Sequence, residues 1–361
     1  MAESLNPEES RARLGDDLTE RERRVLDAVV RTYVETAEPA GSRTVTRRFS
    51  LGVSPATVRN TMSDLEEKGY LIHPHTSAGR VPTDLAYRVF VDRLMQPAVL
   101  SEEDRQRLAK ELDRPGSSEV ERLVRRATRA LGLLSQELGV AAAPRLDAAV
   151  LERLELARVS ATKVLLVAQI RSGLARTLYV DLNTEVPDDT LVTITHLLNE
   201  RLGGLTLREI RETVSDRIRD AHAEADDAAE EILNVFMQSG SELFDWPEVE
   251  GTAIHLGHTS VLATQPEFTT GERLKGLIEL TEQHDLFAAV LGDRPHPTGL
   301  QVTIGGENMR DELRDFTLVT AEYRVGTLKG VIGVIGPTRM AYDKVIAIVD
   351  YTSSLVNQIL E

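Results

Sequence analysis

Four arginines, Arg43, Arg47, Arg48 and Arg59, fall within residues 39–63, a stretch that holds no acidic residue. Guanidinium groups neutralise phosphates and pair bidentately with guanine edges. Asn60 can pair with adenine in the same way, and the methyls of Ala56 and Thr57 suit thymine. Ser54 and Ser63 add hydroxyls. A second acid-free stretch, residues 68–83, carries Lys68, His73, His75, Thr76, Ser77 and Arg80. Lys68 and Arg80 suit phosphates, and His75, Thr76 and Ser77 can hydrogen-bond them. His73 and His75 also admit a metal-pair reading, but the sequence nearby offers no third ligand. A cluster of charge can equally be a solvated face. The local structure that holds these residues decides between the two.

Other chemistries find less support. Cysteine is absent, which removes disulfides, thiolate zinc sites and cysteine nucleophiles, and fits a reducing cytosol. Neither HExxH nor GxSxG occurs. Gly330, Gly333 and Gly336 recur every third residue, which is neither a nucleotide fingerprint nor a phosphate loop. They read as close strand packing. Arg339 could hold an anion at a helix start, but a structural salt bridge is the stronger reading. No run of apolar residues approaches the roughly 20 that a membrane helix needs. The net charge of −16 argues against a protein that coats nucleic acid indiscriminately. That charge is unevenly spread: residues 19–96 carry +2 and residues 97–361 carry −15.

The elements around the arginines are legible. Thr19-Glu-Arg-Glu22 is a capping box, and Val25, Leu26, Val29, Val30 and Tyr33 follow at helical spacing. Pro39 and Gly41 break that helix. Ser42 caps a short second helix with Val45 and Phe49 inward. Leu51-Gly-Val-Ser54 is a turn, and Ser54-Pro55 opens a third helix. Val58, Met62 and Leu65 form its buried stripe, and Gly69 ends it. This is a helix-turn-helix unit, whose second helix enters the major groove. Opposite the buried stripe lie Ala56, Asn60 and Ser63, flanked by Thr57 and Arg59. An apolar strand from Tyr70, a polar loop with Pro74 and Gly79, and Val81-Pro82 then fit a wing. Thr83 caps a helix over 84–95.

Four strings carry a family resemblance: Glu38-Pro-Ala-Gly-Ser-Arg43, Ser54-Pro-Ala-Thr-Val-Arg-Asn60, Asp64-Leu-Glu-Glu-Lys-Gly-Tyr70 and Pro74-His-Thr-Ser-Ala-Gly-Arg-Val-Pro-Thr83. They closely resemble HrcA, a family of bacterial heat-inducible transcription repressors. Ile304-Gly-Gly-Glu-Asn308 and the segment from Gly330 to Tyr342 resemble its C-terminal signatures, so the resemblance spans about residues 19–361. Thr61 and Ser63 depart from it, standing where the family more often has an acid and an alanine. Ala86 replaces a glycine.

The remainder reads as helices over 101–113 and 118–138, strands over 151–159, 163–170 and 177–182, and a helix from Pro187 to Leu202. A long helix over 216–238, another over 271–283, strands at 299–304, 316–323 and 330–335, and a last helix over 341–360 complete it. The expected class is α+β and multidomain. Residues 1–18 form a disordered tail and 19–98 a winged helix-turn-helix domain. By resemblance, 99–185 and 270–361 form a GAF-like domain split by an inserted dimerisation domain at 186–269. The resemblance implies a cytoplasmic, nucleoid-associated homodimer on an inverted-repeat operator of double-stranded DNA called CIRCE. It implies repression of chaperone operons tuned by the GroE chaperonin and temperature, with no cofactor and no membrane. The alternative is a metabolite-responsive regulator that uses the GAF-like pocket. No catalytic constellation supports an enzyme.

Overall fold

The computed structural model describes residues 14–360 apart from 75–78, 113–119, 145, 172, 174, 224, 246–253 and 293–298. Helix α1 (Glu20–Thr36) starts at the capping box, where Thr19 and Glu22 bond each other reciprocally. It buries Val25, Leu26, Val29 and Val30. Helix α2 (Ser42–Arg48) buries Val45, with Gly41 rather than Ser42 at its N-cap. Helix α3 (Pro55–Glu67) opens where the Ser54 hydroxyl accepts the Thr57 N–H. Its stripe of Val58, Met62 and Leu65 is buried, joined by Thr61. Strands β1 (Leu71–Ile72) and β2 (Val81–Pro82) pair antiparallel. Helix α4 (Asp84–Val89), capped by Thr83, widens into a π turn over Phe90–Leu94. The expected 84–95 helix is thus α-helical only in its first half.

Helices α5 (Glu102–Leu112) and α6 (Val120–Ser135) lead to β3 (Leu138–Ala142). The helix expected over 118–138 ends early, at Gln136, which sits in the left-handed region at φ 60°. All five residues of β3 are buried. A short apolar run reads equally well as helix end or buried strand, so periodicity could not separate them.

Next come β4 (Leu151–Ser160), β5 (Lys163–Ile170) and β6 (Ala175–Asp181), and then α7 (Asp188–Leu202), α8 (Leu207–Ala223) and α9 (Asp227–Leu243). The single helix expected over 216–238 is two, because Asp226 caps α9 by accepting the Ala229 N–H. Strand β7 (Ile254–Leu256), helices α10 (Gly271–Glu282) and α11 (His284–Gly292), and strands β8 (Leu300–Ile304), β9 (Phe316–Val325) and β10 (Leu328–Pro337) follow. Helix α12 (Tyr342–Leu360) ends the described chain.

Five strands form one antiparallel sheet in the order β7-β3-β10-β9-β8. Strands β4, β5 and β6 form a separate sheet that packs on α7–α9 in a core of its own. The sequence reading placed these strands with the first half of the large sheet and opened the insertion near 186. In the structure the inserted unit runs from about 146 to 245. Alternating apolar residues show that a strand exists but not which sheet it joins. The insertion leaves after β3 and returns at β7, and the two strands are hydrogen-bonded neighbours, with Val140 opposite Leu256.

One face of the large sheet is covered by α10 and α11. The other face shares a continuous apolar core with α6, α12 and residues 18–90, the DNA-reading candidate. The three spaced glycines pack as expected. A Cβ at Gly333 would strike the Val319 carbonyl, at Gly330 the Tyr323 ring, and at Gly336 the Glu137 carboxyl.

Glu137 is buried and accepts a hydrogen bond from Gln265 Nε2 at 3.0 Å. Burial holds its carboxyl well above its ordinary value of 4.5. The folded chain therefore keeps this proton at a pH where the unfolded chain has released it. Stability falls as pH rises past the ordinary value. Glu137→Gln should melt at or above the wild-type Tm at pH 8, and lose that advantage as the pH falls towards the ordinary carboxylate range. A Tm series across pH reads this directly. A variant less stable at pH 8 than in acid, relative to wild type, contradicts it.

Candidate nucleic-acid interface

Helix α3 turns a polar face to solvent because its apolar stripe seats against α1 and α2. Ala56, Arg59, Asn60 and Ser63 are exposed, and Thr57 is half-buried. Arg43 and Arg47 on α2 are exposed as well. Arg43, Arg47 and Arg59 have no ion-pair partner among the described residues, whereas Arg48 is held by Glu35. Three guanidinium groups and one carboxamide are therefore exposed on the helix pair with no side-chain partner among the described residues. Ser54 and Thr57 differ from them: their hydroxyls lie 3.0 Å apart within the N-cap. They fix the start of α3 and leave little hydrogen-bonding capacity for a ligand.

Arg80 does not stand free for phosphate, contrary to the sequence reading. It pairs with Glu66 at 2.7 Å and is 17% exposed. Its backbone bonds Ala40 in both directions, at 2.8 and 3.0 Å. Lys68 is likewise engaged, with Glu22 at 2.9 Å and the Asp17 carbonyl at 2.7 Å. Both cations pin the hairpin to the helices, where local sequence order alone gave no sign of a distant carboxylate. Gly79 makes the approach possible, since a Cβ there would overlap the backbone of Pro39 and Ala40. His75, Thr76 and Ser77 lie outside the described residues. Among the described residues no cluster of three or more acidic or histidine side chains could hold a metal ion. No described helix is long and apolar enough to cross a membrane.

Helices α4 and α1 are fixed to the large sheet and its neighbours by charge networks that the sequence reading missed. Arg88 on α4 is 2% exposed. It donates to Glu307 at 2.7 Å through Nε, to the Val302 carbonyl at 2.8 Å and to Asp92 at 3.1 Å. Asp84, one turn earlier, accepts the Gly306 N–H at 2.9 Å. A Cβ at Gly305, which sits at φ +51°, would strike that carboxylate. Asn308 is buried and donates to the carbonyls of Gly305, Leu313 and Phe316. The quoted string Ile304-Gly-Gly-Glu-Asn308 is thus a socket for α4. The Asp84–Arg88–Asp92 spacing of four residues was its one sequence signal. Arg339 is a structural ion pair as read: it grips Glu267 with two nitrogens, at 3.0 Å through its second, and donates to the Val34 carbonyl of α1 at 2.6 Å.

Comparison with known proteins places these features. Residues 121–346 match the family model described as the HrcA protein C-terminal domain. The chain belongs to the HrcA family. A heat-inducible transcription repressor HrcA from Chlorobium phaeobacteroides (strain BS1) is 37% identical over 95% of this chain and 99% of its own length. One from Geobacter sulfurreducens is 35% identical over 96% and 99%. A crystal structure of a hypothetical protein, 21% identical, aligns with a TM-score of 0.59 over 95% of this chain and 99% of its own, which supports the fold alone. The HrcA family is one of heat-inducible transcription repressors, so the exposed arginines of α2 and α3 sit in a transcription regulator.

Proposed function

We propose that this chain represses chaperone operons by binding a CIRCE-type inverted repeat as a homodimer, with activity tuned by the GroE chaperonin and temperature. Residues 19–98 act as a winged helix-turn-helix reader. The five-stranded unit is a GAF-like body, and the inserted unit pairs two copies. The observation that carries this reading is the open face of α2 and α3, where Arg43, Arg47, Arg59 and Asn60 stand exposed beside a buried stripe. A two-fold protein matches a two-fold operator, because each copy reads one half-site.

The inserted unit supports the dimer. One face of its sheet covers the core with Leu154, Val164, Leu166, Ala168 and Val180. Among the described residues no element covers the other face. There Ala157 pairs with Leu165, and Leu165 with Tyr179. Tyr179 is 66% exposed and Val159 51%. Contiguous exposed apolar surface of this kind marks an interface.

A footprint on an inverted-repeat duplex, with and without chaperonin at several temperatures, tests the reading. Protection of both half-sites, strengthened by chaperonin, is expected. Tyr179→Glu should sediment as a monomer and protect neither half-site well. A dimer that survives Tyr179→Glu removes the sheet face from the interface, and no protection of the repeat under any condition overturns the operator.

A further inference from the structure

A cleft of about 480 Å³ opens between the reader and the large sheet. Tyr33, Pro82 and Tyr87 line it from the reader side, and Phe268, Leu277 and Phe316 from the body. The rings of Phe268 and Phe316 stack 6.0 Å apart and give it an aromatic floor. Its size lies in the range of ordinary small-molecule sites.

Two observations point to a ligand. Tyr87 is 2% exposed, yet its hydroxyl has no hydrogen-bond partner among the described residues. Buried polar groups are normally satisfied, so an orphaned phenol at a cavity wall is unused capacity. Burial first, then Tyr342 and Tyr33, hold this phenol well above its ordinary value, so it stays a neutral donor. The second observation is charge. Arg339 is consumed by Glu267, and Glu279 is paired with Lys275 at 3.3 Å. That leaves Glu312 and Asp315 exposed at the rim with no ion-pair partner among the described residues, and Arg273 as the other cation of the lining.

We propose that the cleft binds a small organic cation, an arylalkylamine that carries a polar group on its ring. The ring lies on Phe268 and Phe316, the ring substituent meets the Tyr87 hydroxyl, and the ammonium group sits between Glu312 and Asp315. Because its walls come from both the reader and the body, such a ligand clamps the two together.

The probe is tyramine, titrated calorimetrically into the full chain, with 2-phenylethylamine and 4-hydroxyphenylacetate as comparisons. Saturable tyramine binding is expected. Loss of the ring hydroxyl in 2-phenylethylamine, or of the protein hydroxyl in Tyr87→Phe, should weaken it by about tenfold. Asp315→Asn should weaken it similarly, and 4-hydroxyphenylacetate should not bind. Tyr87→Phe removes only an unpartnered group, so its Tm should equal or exceed the wild-type value and certify the fold. Absence of saturable tyramine binding, equal affinity in Tyr87→Phe, or preference for the carboxylate compound overturns the proposal. None of these outcomes depends on operator binding.

Discussion

Replacing Arg59 by alanine should cost roughly 1–3 kcal/mol per half-site if the guanidinium reaches a base edge, about a fivefold to 150-fold loss in affinity. A dimer reads each residue twice, so the loss for the whole operator should be about double when the half-sites are independent. Asn60→Ala should behave alike. The structure supplies the contrast that gives this meaning. Arg59 and Asn60 are exposed on α3 and have no side-chain partner among the described residues, whereas Arg48 nearby is tied to Glu35. Arg48→Ala should therefore change affinity little. Arg43→Ala and Arg47→Ala should weaken operator and random DNA alike, and reduce the slope of log affinity against log salt by about one each. Arg59→Ala should instead narrow the gap between operator and random DNA. Gel-shift titrations at several salt concentrations separate the two signatures. Undiminished operator binding by both Arg59→Ala and Asn60→Ala would sink the assignment of α3 as recognition helix.

The second large effect is expected at the socket for α4. Glu307→Ala removes the main counter-charge from an arginine that is 2% exposed. Breaking a buried pair from one side costs about 3–5 kcal/mol. Glu307 itself is 35% exposed and Asp92 remains bonded to Arg88, so about 2–3 kcal/mol is the fitting figure after solvent screening. The double variant Arg88→Met with Glu307→Leu should recover most of that loss, because an apolar pair needs no desolvated charge. Urea unfolding reads the stability. Limited proteolysis within residues 95–101, between the π turn and α5, reads whether the reader has loosened from the body. Equal stability of Glu307→Ala and wild type would show that Asp92 and the Val302 carbonyl suffice for Arg88.

Local signals carried the reader and little else. The Thr19 capping box, the Ser54-Pro55 start and the Val58–Met62–Leu65 stripe are all short-range, and each stands where expected. The exposed face of α3 followed from them by geometry. Arg80 failed for the opposite reason. Its partner Glu66 is fourteen residues away and comes close only when the hairpin folds back on α3. Arg88 and Glu307 are 219 residues apart, and no local pattern couples them. The body was legible as α+β, yet its strand partnership was not, because β4–β6 and the large sheet share one alphabet of Val, Leu and Ile. Asp226 shows how little can hide a boundary: one carboxylate capping α9 divides what the periodicity joined.

The way the inserted unit meets the sheet bears on how such a protein can change over generations. The unit leaves and re-enters at adjacent strands, and Leu328 is the one sheet residue buried in its core among those described. Its length and surface are therefore free to diverge while the register of the sheet and the socket of α4 stay fixed. Under the proposed roles of the two units, two copies of the gene in one cell could drift apart in whom they pair with and still read the same DNA, and α3 could be rewritten without disturbing assembly. If the inserted unit pairs two copies and α3 reads the operator, as proposed above, choice of partner and choice of operator are separately heritable traits of a single chain.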